Sequence, residues 1–93
     1  MEIVWSEIAL ETFLRVVDYL FFEHWSIKEI NRFEKNVDDL LKKIIVNNQL
    51  CPPSKLYGYR KCLIDEQNAV VYSIVNNKIF IITFLDTRSQ NLF

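Results

Sequence analysis

YRKCLIDEQNAVVYSIVNNKIFIITFLDTR, residues 59–88, decides the fold. Three strand-like segments follow one another: Gly58 to Asp65, Ala69 to Val75 and Lys78 to Leu85. The links, Glu66-Gln67-Asn68 and Asn76-Asn77, read as hairpin turns, with Asn in place of Gly because it tolerates positive φ. Short turns between consecutive strands predict an antiparallel meander. Val70, Val71, Tyr72, Ile74 and Val75, then Ile79 to Ile82, Phe84 and Leu85, are too apolar for strands wet on one face. One face must meet the rest of the chain, and the other calls for cover by a loop, a tail or a partner. Cations stand at both ends of the block, Arg60 and Lys61 at its start and Arg88 at its exit, as on a surface offered to a polyanion or an acidic partner.

Upstream, the period changes. Glu2 to Trp5 reads as a first strand. Ser6 is placed to cap a helix, with Glu7 and Glu11 in its early turns where the dipole favours acids. Ala9, Phe13, Val16, Val17, Leu20 and Phe21 recur at helical spacing as far as Glu23-His24. Ser26-Ile27-Lys28-Glu29 matches a capping box. It opens a second helix with Ile30, Phe33, Val37, Leu40, Leu41 and Ile44 on one face. So short a link predicts an antiparallel helical hairpin, whose apolar stripes have only the sheet to pack on. Trp5 and Trp25 are expected as core anchors under it, and His24 as a surface or capping residue. Asn47-Asn48 can end the second helix. Pro52-Pro53 then excludes regular structure, leaving a long loop to about Tyr57 with Lys55 in it.

Ninety-three residues, 51 % hydrophobic, fit one globular domain, 1–93. The expected class is α+β: an N-terminal strand and a helical hairpin on a small antiparallel sheet. No apolar run approaches the ~20 residues of a membrane span, and Met1 to Trp5 lacks the pattern of a signal peptide, so a cytoplasmic chain is expected, with no membrane partner. One His and two separated cysteines cannot fill a zinc site, and no metal or cofactor is expected. Cys51 and Cys62 could be joined, but in a reducing cytoplasm two ordinary thiols are expected. Net charge is −1, with six cations against nine acids in residues 1–46 and five against three in 47–93. That asymmetry is far short of a strongly basic nucleic-acid domain.

The order of these segments resembles the RelE/ParE superfamily of bacterial toxins from type II toxin–antitoxin operons. The resemblance rests on Trp5-Ser6 and Ala9, Asp18-Tyr19-Leu20, Trp25-Ser26, Phe33 and the Leu40–Ile44 stripe. It continues through Tyr59-Arg60-Lys61, Val71-Tyr72-Ser73-Ile74, and Ile81 to Leu85 followed by Asp86-Thr87-Arg88-Ser89-Gln90. It implies a growth-inhibitory toxin neutralised by a cognate antitoxin whose C-terminal segment wraps it, as a homodimer or as a heterotetramer with the antitoxin. RelE-like members cleave mRNA in the ribosomal A site, and ParE-like members poison DNA gyrase.

Metal-free RNA cleavage needs groups to activate the 2′-hydroxyl, stabilise the phosphorane and protonate the leaving oxygen. Arg60, Lys61 and Arg88 are the candidate activity surface, and Arg88 matches the family Arg at the end of the last strand. Ala69 stands where an Arg often precedes the third-strand Tyr, and Phe93 lies near where a catalytic Tyr would be. The tail Arg88-Ser89-Gln90-Asn91 resembles ParE-like members more closely. The expectation is therefore a toxin acting on gyrase. The alternatives are a RelE-like, ribosome-dependent mRNA endoribonuclease and a non-toxic antitoxin-binding protein. Each cation also has a plainer role: Arg60 and Lys61 as solvated charges guarding an edge strand, Arg88 as the partner of Asp86. Tyr72 is expected to pack in the core.

Overall fold

A computed structural model describes all residues, 1–93. The elements run β1 (Glu2–Trp5), α1 (Glu7–His24), α2 (Ile27–Val46), β2 (Arg60–Leu63), β3 (Asn68–Val75) and β4 (Lys78–Asp86). The α+β class and the helical hairpin are as expected. Strand β2 is shorter than its apolar run suggests, because Asp65 ends it. The Asp65 carboxylate accepts from the amides of Gln67 and Asn68 at 2.8 and 2.9 Å, closing a turn before β3. At the other hairpin, Asn76 and Asn77 take φ of 51° and 62°, the left-handed pair that matches the twist of two tightly joined strands.

The sheet order is β1-β4-β3-β2. Strands β2, β3 and β4 form the expected antiparallel meander, but β1 lies parallel to β4, pairing Glu2 with Lys78 through Trp5 with Ile81. The sheet is therefore mixed, which corrects the all-antiparallel expectation. The meander leaves one edge of β4 unpaired, and β1 supplies the backbone partners it lacks. Local apolar pattern is the same in either strand direction, so the sequence carried no sign of this.

Both helices cover one face of the sheet. Ser6 sets the entry to α1: its hydroxyl accepts from the Ala9 amide at 2.9 Å and donates to the Ile82 carbonyl at 2.9 Å. The Ser26 oxygen caps α2 by accepting from the Glu29 amide at 3.1 Å. The Glu29 carboxylate lies 3.9 Å from Arg32 instead of closing the reciprocal bond of a capping box. Between the layers, Phe33, Val37, Leu41 and Ile44 of α2 meet Cys62, Val70, Tyr72, Ile79, Ile81 and Phe84 of the sheet. Trp5, Phe13, Phe33 and Phe84 form an aromatic knot with neighbouring ring centroids 5.4–6.5 Å apart.

Trp5 is the core anchor expected of it. Trp25 is not. It is 82 % exposed, with φ of 53°, and its amide donates to the Phe21 carbonyl. The left-handed position that stops α1 and turns the chain also carries its side chain beyond both apolar stripes. Phe21, Phe22 and Ile27 are exposed beside it, and Leu10 and Leu14 are exposed farther along α1.

On the face away from the helices, Ala69, Val71 and Thr83 are buried yet lie outside the helix-facing cluster. The C-terminal tail is anchored by backbone bonds near both ends of the β2–β3 hairpin. The Thr87 amide donates to the Gln67 carbonyl at one end of the β2–β3 hairpin. The Phe93 carbonyl accepts from Lys55 at the other.

Candidate functional site

The loop between α2 and β2 builds most of a cation-bearing groove that contains no acid. Its lining includes Asn48, Ser54, Lys55, Tyr57, Tyr59 and Arg60, around about 520 Å³. The two prolines keep this segment from joining either neighbouring element. It folds back on β2 instead: Pro53 bridges Arg60, the Lys61 amide donates to the Pro52 carbonyl at 3.2 Å, and the Ser54 amide donates to the Tyr59 carbonyl at 2.8 Å. Gly58 makes the return with φ of 90°, a conformation that strains any residue with a side chain. The Tyr59 ring rests edge-on against Phe93, with centroids 5.5 Å apart. Tyr57 is fully exposed.

This fold-back corrects the expectation of two separate thiols. Cys51 and Cys62 are joined in a disulfide, with Cα atoms 5.3 Å apart across 11 positions of sequence. Both are buried, at 8 % and 2 % exposure. Their spacing in the sequence does not reveal that the loop doubles back, and the pairing depends on it.

The three candidate cations are not brought together. Arg60 lies opposite Tyr72 in the β2–β3 register and so shares the helix-facing side. Its guanidinium donates to the Cys51 carbonyl at 2.6 Å. Lys61 lies opposite Val71, on the other face, with no ion pair. Arg88 sits at the exit of β4. It donates to both carboxylate oxygens of Asp86 at 3.1 and 2.9 Å, and its amide donates to the same group at 2.8 Å. Those Arg88 contacts hold the Asp86 carboxyl at about 2, below the usual carboxylate range. Arg88 instead borders a second groove of about 330 Å³ that also touches Arg15 and Tyr19 of α1 and Gln67 of the β2–β3 turn.

Tyr72 packs in the core as expected. Its hydroxyl donates to the Asn48 carbonyl at 2.9 Å. Burial pushes its phenol above the usual range, against the opposing pull of the Cys51 backbone and the Arg60 charge. His24 is exposed, with its ring 5.1 Å from that of Tyr19. No three His, Cys, Asp or Glu side chains lie close enough to hold a metal ion, and no helix is long and apolar enough to cross a membrane. Sequence reasoning passed over Tyr57 and Tyr59 as groove residues. The only available signal was their place around Gly58 in a long, proline-started loop.

No protein-family model matches the chain, and no curated protein matches it. Solved structures do. The YoeB–YefM complex from Staphylococcus aureus contains a chain 26 % identical to this one, at a TM-score of 0.61, covering 91 % of this chain and 94 % of that chain. The YoeB dimer from the same organism matches at 25 % identity and a TM-score of 0.62, covering 96 % and 98 %. The chromosomal ParDE toxin–antitoxin system from P. aeruginosa matches at 16 % identity and a TM-score of 0.67, covering 92 % and 95 %; at that identity the likeness is one of fold. The fold is thus shared over more than nine-tenths of the chain, and this protein belongs to the RelE/ParE toxin superfamily.

Proposed function

We propose that this chain is the toxin of a type II toxin–antitoxin pair, and that it inhibits growth by binding a protein target, DNA gyrase, as ParE-like members do. The observation that carries the choice of target is the separation of Arg60, Lys61 and Arg88. Arg60 is committed to the Cys51 carbonyl and Arg88 to Asp86, while Lys61 lies on the opposite face from Arg60. The carboxylate beside Arg88, Asp86, is taken up by that pair, and cleavage of RNA needs cations and an acid and base converging on one phosphate. A toxin that acts by occupying a protein surface needs none.

A cognate antitoxin is the second partner in this reading. Chains similar to this one are solved as a YoeB–YefM complex and as a heterotetramer of YoeB and YefM. The exposed apolar side chains along α1 supply surface for such a partner. A homodimer has a parallel in the YoeB dimer.

RelE-like cleavage of ribosome-bound mRNA is the second reading, favoured by the higher identity to the YoeB chains than to the ParDE structure. One experiment separates the two. The purified chain is added to gyrase supercoiling reactions and, in parallel, to translating ribosomes with transcript ends mapped. Lost supercoiling with intact transcripts supports the gyrase reading. Cut transcripts with unchanged supercoiling replace it with the second.

A further inference from the structure

The loop that forms the Lys55–Arg60 groove is closed by a covalent bond that the proposed function does not use. Cys51 ends the descent from α2, Cys62 lies inside β2, and most of the groove's wall lies between them, including Pro53, Lys55, Tyr57, Gly58, Tyr59 and Arg60. The other ties that join this loop to the rest of the chain or close it on itself are non-covalent. They include the Arg60 bond to the Cys51 carbonyl, the backbone bonds from Lys61 to Pro52 and from Ser54 to Tyr59, the local bonds of Ser54 and Tyr59 with Leu56, and the contact of the tail with Lys55 and Tyr59. Hydrogen bonds at a partly solvated loop contribute little net order, whereas a cross-link removes most open conformations of the segment it closes.

We propose that Cys51–Cys62 is a thiol-exchange site, and that its redox state sets whether the Lys55–Arg60 groove is formed. The co-reactant is a cellular dithiol. Its thiolate attacks the Sγ of Cys51, the more exposed of the two residues, forming a mixed disulfide as the Cys51–Cys62 bond breaks. Cys62 leaves as a thiolate and takes a proton. The second thiol of the reductant then attacks the mixed disulfide, releasing Cys51 as a thiol. Two electrons pass to the protein, and the reductant departs as a disulfide. Burial of both sulfurs makes the exchange depend on loop opening, so the bond persists through brief reducing conditions and yields to sustained ones.

In the reduced chain the segment 52–59 keeps only its non-covalent ties, and the groove loses its fixed wall. Cys51 and Cys62 belong to the same buried cluster as Phe33, Val37, Val70 and Tyr72, but the bridge cross-links only the loop to β2. The other members of the cluster keep their packing when the bond opens, so reduction acts on the loop and leaves the fold in place. Where Tyr57 and Tyr59 contribute to target binding, a reducing environment weakens the toxin and an oxidising one strengthens it. That last step rests on the proposed function; the opening of the loop does not.

Amide hydrogen exchange on the purified full chain tests the proposal, before and after dithiothreitol, with free thiols counted in each sample. The expected result is no free thiol before reduction and two after it. Exchange over residues 52–59 should speed at least about tenfold, with α2 and β3 unchanged. Free thiols in the air-oxidised chain overturn the proposal, and so does unchanged exchange in the loop after two thiols appear. The Cys51→Ser, Cys62→Ser double variant, first shown to be folded by circular dichroism, should reproduce the reduced pattern and ignore dithiothreitol. A double variant with the slow exchange of the oxidised chain also overturns it. Because these readouts involve no target, failure of the gyrase assay leaves them unaffected.

Discussion

Replacing Arg60 with Ala tests whether this cation is a tie within the fold or a group that acts on a target. In the structure its guanidinium, half-buried on the helix-facing side of β2, donates to the carbonyl of buried Cys51 at 2.6 Å. Hydrogen bonds to a charged group contribute about 1.5–3 kcal/mol. Arg60 keeps part of its surface in water, so the lower figure applies, and the disulfide still holds the loop when the bond is lost. For a domain of this size each kcal/mol moves the melting midpoint by about 4–8 °C, so a loss of about 1.5 kcal/mol lowers Tm by about 6–12 °C. Thermal unfolding followed by circular dichroism measures this, with Arg60→Lys alongside. Lys can make one bond to the carbonyl but lacks the guanidinium's reach and fork, so it should recover part of the loss. Growth inhibition by Arg60→Ala should fall only as far as the folded fraction falls. A variant that melts within about 2 °C of the parent yet inhibits nothing would refute this reasoning and return Arg60 to the activity surface.

Three further outcomes follow from the packing and the caps. Phe33→Ala removes a ring from the aromatic knot and should cost about 3–5 kcal/mol. That is a large share of the roughly 5–14 kcal/mol expected of 93 residues, whereas Trp25→Ala at an exposed position should change stability by less than about 0.5 kcal/mol; urea unfolding of the two variants checks the contrast. Ser6→Ala removes both the cap of α1 and the tie to the Ile82 carbonyl, and should cost about 1–2 kcal/mol by the same measurement. The Asp86 carboxyl, held at about 2 by Arg88, should titrate near that value in carboxyl-carbon NMR. Because the folded value is depressed, its stabilising pairing is intact above the unfolded value of about 3.9 and is lost as pH falls through about 2. A midpoint near 4 would mean that the Asp86–Arg88 pair does not persist in solution.

The elements were legible because each leaves a local mark. Ser6 and Ser26 announce helix starts, and Asn76-Asn77 announces a left-handed turn. Ile30, Phe33, Val37, Leu41 and Ile44 repeat every three to four residues because a helix has 3.6 per turn. Trp25 misled because its type suggests core, whereas its position, at the residue that must take positive φ to end α1, puts it outside. The candidate cations were identified by type and by nearness to strand ends. Whether they meet depends on register and face: Arg60 and Lys61 are neighbours in sequence and face opposite sides of the sheet.

By itself the sequence determined the order and kind of the elements and the apolar stripes that join helices to sheet, because those are set by the spacing of residues along a few turns or strands. It also carried the family resemblance, which lives in the same order. Only the tertiary structure decided that β1 runs parallel to β4, that the 47–59 loop doubles back to join Cys51 to Cys62, and that Arg60, Lys61 and Arg88 stand apart. Each of these joins residues far apart along the chain, and no local pattern encodes which distant backbone or side chain will stand opposite.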